Sequence, residues 1–274
     1  MVKYNLMLKD IKVMDFSFDG KVNIYNEKYL PYGLYIENGK SVDVYTNNVL
    51  NIYHWLATRV ITIDRKYSKI IYNYLDLPQN QDEKTKALFS MSFHSLSLMD
   101  SYWIKKNDEK IKFKDINLFD NSISNAFVDI FLRGKGITVK KDGIDSRDIS
   151  TSGQCAKSWV REKDHELYLY KDGNQKEIKN EVLASDIISC FNINAVRYNL
   201  KMYKKEYVSR CKIITNKNYS IVNKSDYEIY CLNHDINIYD YIIKLDGYSY
   251  YMMNILDYLI GNNDRHSNNW GFLV

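Results

Sequence analysis

The sequence lacks a long apolar run, closely spaced cysteines and a strong excess of one charge, and each absence excludes a class of protein. No stretch approaches about 18 consecutive apolar residues, so the sequence predicts no transmembrane helix. The first ten residues have no signal-peptide apolar core, and we expect a cytoplasmic protein without membrane contact. The four cysteines form no C-x-x-C pair, which leaves zinc and redox motifs unsupported and fits reduced thiols.

The charge balance gives little support to nucleic-acid binding. The 274 residues include 38 basic and 34 acidic side chains, and the net charge of +4 is a mild excess without a dense basic cluster. No segment has a helix-turn-helix pattern, so we expect no direct nucleic-acid partner and rank nucleic-acid binding last among three hypotheses. The length and the 45% hydrophobic residues fit one large domain or two modest ones.

The hydrophobic patterning predicts an α+β fold. Residues 1–50 alternate between polar and apolar, with Asp-Gly and Asn-Gly turns at 19–20 and 38–39 that are typical of hairpins. Helices are predicted where apolar residues recur at helical spacing or breakers are few: 49–75, 82–97, 180–190, 234–246 and 249–260. Later strands are predicted at short apolar runs: 166–171, 195–198, 211–215 and 270–274.

The densest group of ionisable and amide side chains is at residues 261–272, which contain one Asp, one Arg, one His and four Asn. Gly261 is a natural stop for the preceding helix. Composition alone would make this a surface turn, because Asn, Asp and Gly favour turns. The ordered pattern Asp-Arg-His-x-x-Asn instead resembles a kinase catalytic loop, in which an Asp accepts a proton and an Asn five residues later binds a metal ion; Asp264 and Asn269 have that spacing.

A second group of candidates begins with Ser150, Thr151, Ser152 and Gly153 and leads through Lys157 into a strand. A loop with hydroxyls, available backbone N–H groups and a lysine can fold over phosphates. It contains one glycine, so it is neither a Walker loop nor a Gly-x-Gly-x-x-Gly loop. An ordinary Ser/Thr turn would have the same composition.

Lys171 and Glu181 complete the candidates. Lys171 ends an apolar strand, and we place Glu181 in the first turn of the helix that follows. A strand lysine followed by a helix glutamate is the order of the pair that positions nucleotide in kinases. The structural alternatives are an exposed lysine at a strand end and a glutamate that caps a helix.

Together these segments resemble the HipA-like serine/threonine kinases, and the 264–269 loop more distantly resembles that of the phosphoinositide kinases. The resemblance begins near residue 20 and includes Ser-Leu-Met-Asp-Ser-Tyr-Trp at 97–103 and Asn-Leu-Phe-Asp-Asn at 117–121, for which we expect a structural role. It implies a kinase-like fold with a β-rich N-terminal region and N-lobe, followed by the start of a helical C-lobe. The implied domains are a family-specific N-terminal region, an N-lobe with the ATP loop and the start of a C-lobe with the catalytic loop: 1–135, 136–215 and 216–274.

The resemblance also implies ATP and Mg²⁺ as cofactors. It makes Asp264 the general base, Asn269 a magnesium ligand, Lys171 the phosphate-binding lysine and Glu181 its partner. We interpret His266 as a hydrogen-bonding residue that organises the loop. Arg265 has two alternative roles: it steers phosphate, or it is simply a surface charge.

The loop from Ser150 to Lys157 would close over ATP. The resemblance makes its serine an autophosphorylation site, matched by Ser150 with Ser152 as the nearby alternative. It further implies a protein substrate and a toxin–antitoxin setting.

The pattern departs from the family at its end, since the sequence stops at Val274, before a second metal-binding Asp and the remaining helices. We therefore expect a piece of a longer protein or a naturally truncated copy, with an antitoxin or a second chain that completes the C-lobe as its partner. The alternative hypothesis is a catalytically inactive kinase-like module that binds a nucleotide or a protein.

Overall fold

The computed structural model describes residues 2–60, 68–69, 72, 82–121 and 156–274, and these residues form three sheets with helices packed against them. The expectation of an α+β fold is confirmed. The predicted domain boundary at residue 135 and the candidates Ser150, Thr151, Ser152 and Gly153 lie outside the described residues. Within the described ranges, no helix is both long and apolar enough to cross a bilayer.

The first sheet belongs to the N-terminal half of the chain. Its strands are β1 Tyr4–Leu8, β2 Ile11–Phe16, β3 Val22–Ile24 and β4 Tyr102–Lys106. All neighbours pair antiparallel in the order β3-β2-β1-β4. The predicted Asp-Gly hairpin joins β2 to β3, where the Ser17 N–H donates to the Lys21 carbonyl at 3.1 Å. A single 3₁₀ turn, Glu27–Tyr29, follows β3.

Gly20 is required at this hairpin for two reasons. Its φ of +86° lies in the left-handed region that side chains disfavour. A Cβ atom at this position would also lie 2.2 Å from the carbonyl oxygen of Tyr45. The turn therefore packs directly onto the backbone of a neighbouring helix.

Two helices cover this sheet: α1 Val42–Ala57 and α2 Glu83–Ser92. Ser41 caps α1 by accepting the Val44 N–H at 3.2 Å, and Asp82 caps α2 by accepting the Thr85 N–H at 2.7 Å. The buried core between helices and sheet is apolar and includes Leu6, Val13, Met14, Phe16, Ile52, Trp55, Leu56, Ala87 and Ile104.

Two predictions for this region were wrong in part. The Asn-Gly pair at 38–39 does not form a hairpin turn and instead leads into α1. The helix predicted from residue 49 begins seven residues earlier because Ser41 supplies its N-cap. It ends at Ala57, and of residues 61–75 only 68, 69 and 72 are described, all as helical.

The second sheet is formed by β5 Lys157–Arg161, β6 Leu167–Lys171, β7 Tyr198–Tyr203 and β8 Glu206–Lys212. The strands are antiparallel in the order β5-β6-β8-β7, and α4 Gln175–Ser189 packs against β7 and β8. The β7–β8 strands were only partly predicted. Their hairpin turns at Lys204 and Lys205, which both adopt positive φ without the Asn or Gly that signals such a turn.

An apolar cluster joins the first two sheets. Trp159 and Leu167 of the second sheet pack with Met7 and Trp103 of the first sheet. Phe113 from α3 (Phe113–Ile116) completes the contact. The second sheet therefore has a fixed position relative to the N-terminal region.

The C-terminal part contains a two-stranded antiparallel sheet and two helices. Its elements are β9 Ile221–Asn223, α5 Lys224–Asn233, α6 Ile238–Ile260 and β10 Gly271–Leu273. The two predicted helices merge into α6, which bends at Asp246, where φ is −162°. The Asp246 carboxylate accepts the Ser249 N–H at 3.0 Å, so it caps the second half of the helix.

The segment at 97–103 has the structural role expected of it. Asp100 forms an ion pair with Arg59, through two hydrogen bonds of 2.8 Å. The adjacent backbone carbonyls of Leu98 and Met99 accept hydrogen bonds from Thr215 and Ile221. This segment thus connects the N-terminal sheet to the chain that leads into the C-terminal part.

Candidate active site

The strand lysine and the helix glutamate form an ion pair. Lys171 ends β6, and its Nζ donates to Oε1 of Glu181 on α4. About a quarter of each side chain is exposed (25% and 26%), so the pair is partly buried and still accessible to solvent.

The position predicted for Glu181 within its helix was wrong. The helix α4 begins at Gln175, which places Glu181 in the second turn. The cap is formed by Asn174 and Glu177, because Asn174 accepts the Glu177 N–H at 2.9 Å and donates its own N–H to the Glu177 carboxylate at 2.9 Å. Glu181 is therefore not a capping residue, and its carboxylate is directed at Lys171.

Two further residues surround the pair, and sequence reasoning missed both. The Ser209 hydroxyl on β8 donates to Oε2 of Glu181. Lys171 Nζ lies 4.4 Å from the centre of the Tyr198 ring, at cation–π distance. Burial lowers the pKa of Lys171, but Tyr198 and Glu181 raise it more, so its pKa is raised overall and the ammonium stays charged.

Lys157 lies beside this group. It is the direct partner of Lys171 in the antiparallel pairing of β5 with β6, so both side chains project from the same face. The Asp172 N–H donates to the Ala156 carbonyl at 2.8 Å and extends the pairing by one residue. The register thus places two lysines, Lys157 and Lys171, on one face of the sheet.

The loop after α6 brings Asp264 and Asn269 together. Gly261 adopts the left-handed conformation, with φ +67°, and ends the helix as predicted. The Asn269 side-chain amide donates to the backbone carbonyl of Asp264, and the Asn269 N–H donates to the His266 carbonyl at 3.1 Å. His266 therefore takes part in the hydrogen bonding of the loop, and both candidate side chains are exposed.

The start of this loop is anchored by a residue that sequence reasoning did not single out. Asp257 in the last turns of α6 is 8% exposed, and Arg265 donates to it from Nε and Nη2 at 2.7 and 2.6 Å. Asn262 donates a further side-chain hydrogen bond at 2.7 Å. Arg265 is thus a structural partner of Asp257. The sequence contained one signal for this role, since Asp257 is a lone carboxylate among the apolar positions of the helix predicted at 249–260.

The end of the loop is held by α5. The Ser267 hydroxyl donates to Glu228 at 3.1 Å and accepts from Lys224 Nζ at 3.3 Å. The Lys224 N–H donates to the Trp270 carbonyl at 3.1 Å. Both ends of the loop are therefore attached to helices, which limits the positions open to Asp264.

Beside the candidate base Asp264, the loop has a candidate cation ligand in the side-chain oxygen of Asn269. Because the Asn269 amide nitrogen donates to the Asp264 backbone, its Oδ1 keeps its acceptor capacity. Among the described residues, no group of three or more His, Cys, Asp or Glu side chains could hold a metal ion. An amide oxygen is a hard ligand of the kind that Mg²⁺ accepts, and substrate phosphates commonly supply further oxygen ligands.

A surface cavity of about 330 Å³ lies between α1 and α5, away from these residues. Glu37, Asn47, His54 and Asn233 are among its lining residues. Neither Lys171 nor Asp264 lines it.

The chain is similar over part of its length to a curated protein kinase. The serine/threonine-protein kinase CtkA of Helicobacter pylori is 27% identical over 134 residues, which cover 40% of this chain and 41% of the relative. The chain therefore spans about two fifths of the length of that kinase. No protein-family model and no solved structure matches the chain. The similarity points to the protein kinases in general and leaves the HipA-like assignment as a prediction.

Proposed function

We propose that the protein is a HipA-like protein serine/threonine kinase, which transfers the γ-phosphoryl group of ATP to a protein hydroxyl. The observation that carries the proposal is the Lys171–Glu181 ion pair between a strand end and the second turn of a helix. A kinase uses such a pair to hold the α- and β-phosphates. The partial similarity to a kinase-named relative supports the protein kinase part of the proposal.

Each candidate has a defined task in this reaction. The Lys171 ammonium binds the phosphates, Glu181 orients it, and Lys157 adds positive charge on the same sheet face. Asp264 accepts the proton of the attacking hydroxyl, and Asn269 offers its side-chain oxygen to Mg²⁺. Magnesium, held in part by Asn269, would neutralise charge that develops on the phosphate oxygens.

The loop from Ser150 to Lys157 would cover the phosphates in this proposal. Ser150, with Ser152 as the alternative, is its proposed autophosphorylation site. A protein serine is the proposed external substrate, and a toxin–antitoxin pair is the proposed setting.

A protein partner also belongs to the proposal. The second half of α6 exposes an apolar stripe at a spacing of three and four residues, formed by Tyr248, Tyr251, Ile255 and Tyr258. Contiguous exposed apolar surface is a feature of protein contact sites. We propose that a second chain which completes the C-lobe, or an antitoxin, covers this stripe.

The test is magnesium-dependent transfer of ³²P from ATP by the wild-type chain and by Asp264→Ala. Loss of a general base lowers the rate by roughly 10²–10⁴-fold, so we expect the label to fall to background in the variant. Mass spectrometry at Ser150 and Ser152 identifies the labelled residue. Equal labelling of both proteins would overturn the role of Asp264.

A second candidate function is a kinase-like module that binds ATP without transferring phosphate. It is favoured by the scarcity of cation ligands: beside the proposed base Asp264, the 264–269 loop contributes one proposed ligand, Asn269, and the described residues contain no group of three or more metal-binding side chains. If the wild-type chain binds ATP measurably but shows no magnesium-dependent transfer of ³²P, this second function is supported and the kinase function is not.

A further inference from the structure

Ser209 has an unusual position for a polar residue. It lies in the middle of β8, and its side chain has 0% exposure. It pairs directly with Lys171 in the register of β6 and β8, so both side chains leave the sheet on the same face. A buried hydroxyl needs a hydrogen-bond partner, and that of Ser209 donates to Glu181.

The two carboxylate oxygens of Glu181 therefore have different partners. Oε1 accepts from Lys171 and Oε2 accepts from Ser209. The terminal torsion of a glutamate is broad, so one ion pair alone leaves the carboxylate plane free to rotate. A second, charge-assisted hydrogen bond to the other oxygen fixes that plane.

We propose that Ser209 is a positioning residue, whose hydroxyl holds the Glu181 carboxylate in the orientation that directs Lys171 toward the nucleotide phosphates. This inference rests on the kinase function proposed above. Ser209 acts through Glu181, 28 residues away in the chain, and the Tyr198 ring supports the ammonium from another side. The hydroxyl thereby contributes to phosphate binding without contacting the phosphates.

The test measures the affinity of the full chain for ATP and for adenosine, by calorimetry in the presence of magnesium. Loss of a hydrogen bond to a charged group changes an equilibrium constant by roughly tenfold or more. We therefore expect Ser209→Ala to weaken ATP binding about tenfold. Adenosine has no phosphates, so its affinity should stay unchanged. Ser209→Thr retains the hydroxyl and should bind ATP within about threefold of the wild-type chain.

Two further variants separate positioning from packing. Ser158 is another buried serine of the same sheet, but it lies on the opposite face and bonds to the Trp159 carbonyl, so Ser158→Ala should leave ATP affinity unchanged. In a Glu181→Gln background, Ser209→Ala should add less than about a twofold loss, because coupled residues are not additive. Ser209→Cys keeps an atom in place of the hydroxyl oxygen but offers only a weak donor, and it replaces the alanine variant if that variant does not fold.

The outcomes distinguish this inference from the kinase proposal. If the wild-type chain binds neither ATP nor adenosine, the proposed function fails and the inference fails with it. If the wild-type chain binds ATP and Ser209→Ala binds it equally well, the inference alone is wrong. An equal loss for ATP and adenosine, or a full tenfold loss in the Glu181→Gln background, would also overturn it.

Discussion

The Asp257 carboxylate accepts two hydrogen bonds from the Arg265 guanidinium, which lies eight residues further along the chain. The pair closes the turn that carries Asp264, since Asp264 lies directly before Arg265 in the sequence. A bidentate arginine–carboxylate contact fixes both distance and plane. The proposed catalytic loop is thus held by the last turns of the helix that precedes it.

Replacing this carboxylate should destabilise the protein in a pH-dependent way. Burial raises the pKa of Asp257, but the hydrogen bonds from Arg265 and Asn262 lower it more, so the pKa is lowered overall. Such a group contributes stability above its unfolded-state pKa of about 3.9 and loses it as the pH falls through the folded value. We expect Asp257→Asn to lower the free energy of unfolding by roughly 2 kcal/mol at pH 7, measured by urea denaturation.

The matched control is Asp240→Asn on the same helix. Asp240 is exposed and lies in the first turn of α6, where the loss of a charge costs about 0.5 kcal/mol. The difference between Asp257→Asn and the wild-type chain should begin to shrink near the unfolded-state pKa of about 3.9 and vanish as the pH falls through the lower folded-state pKa of Asp257. A difference that persists unchanged at lower pH would contradict the ion-pair explanation.

The second prediction concerns Lys171. If its ammonium binds the nucleotide phosphates, Lys171→Ala should lower phosphate transfer by roughly 10²–10³-fold, measured by initial rates with ATP and magnesium. Lys212→Ala serves as the control, because Lys212 is an exposed lysine of the same sheet that pairs with Glu166 at 3.0 Å. Similar rates for both variants would remove Lys171 from the site.

The Lys171–Glu181 pair and the Gly261 helix end could be predicted because each depends on local order. Lys171 ends an apolar strand, and Gly261 follows a periodic helix, so neighbouring residues carry the information. The start of the helix that contains Glu181 was misjudged, because the cap formed by Asn174 and Glu177 was overlooked. A capping box of this kind is a sequence signal that was available.

Ser209 could not be predicted, because its role depends on strand register. The contact between Ser209 and Glu181 exists only because β8 lies next to β6 and pairs Ser209 with Lys171. Register is set by packing of the whole sheet face, and a shift of one residue would turn Ser209 to the other side. The start of β8 could not be predicted either, because the hairpin before it turns at Lys204 and Lys205, and lysine is not a turn residue by propensity.

A third prediction separates two glycines with positive φ. Gly20→Ala adds a Cβ atom 2.2 Å from the Tyr45 carbonyl, in addition to its strained φ. Gly261→Ala has the same kind of φ, but no atom lies within 4 Å of the added Cβ. We expect Gly261→Ala to cost about 1 kcal/mol of unfolding free energy and Gly20→Ala at least about 3 kcal/mol, by thermal or urea denaturation. Equal losses would show that the contact with α1 relaxes without cost.

The last prediction concerns Asp226, whose pH dependence should have the opposite sign to that of Asp257. Burial raises the pKa of Asp226 above its usual range, although its carboxylate accepts the Asn223 N–H at 3.2 Å. Between its unfolded and folded pKa values the folded chain binds more protons, so this group makes stability fall as the pH rises. Asp226→Asn removes the buried charge but keeps an acceptor for Asn223. It should therefore be more stable than the wild-type chain at pH 7 and no more stable near pH 4, in urea denaturation across this range. A variant that is less stable at pH 7 would mean that the charged carboxylate has a stabilising partner.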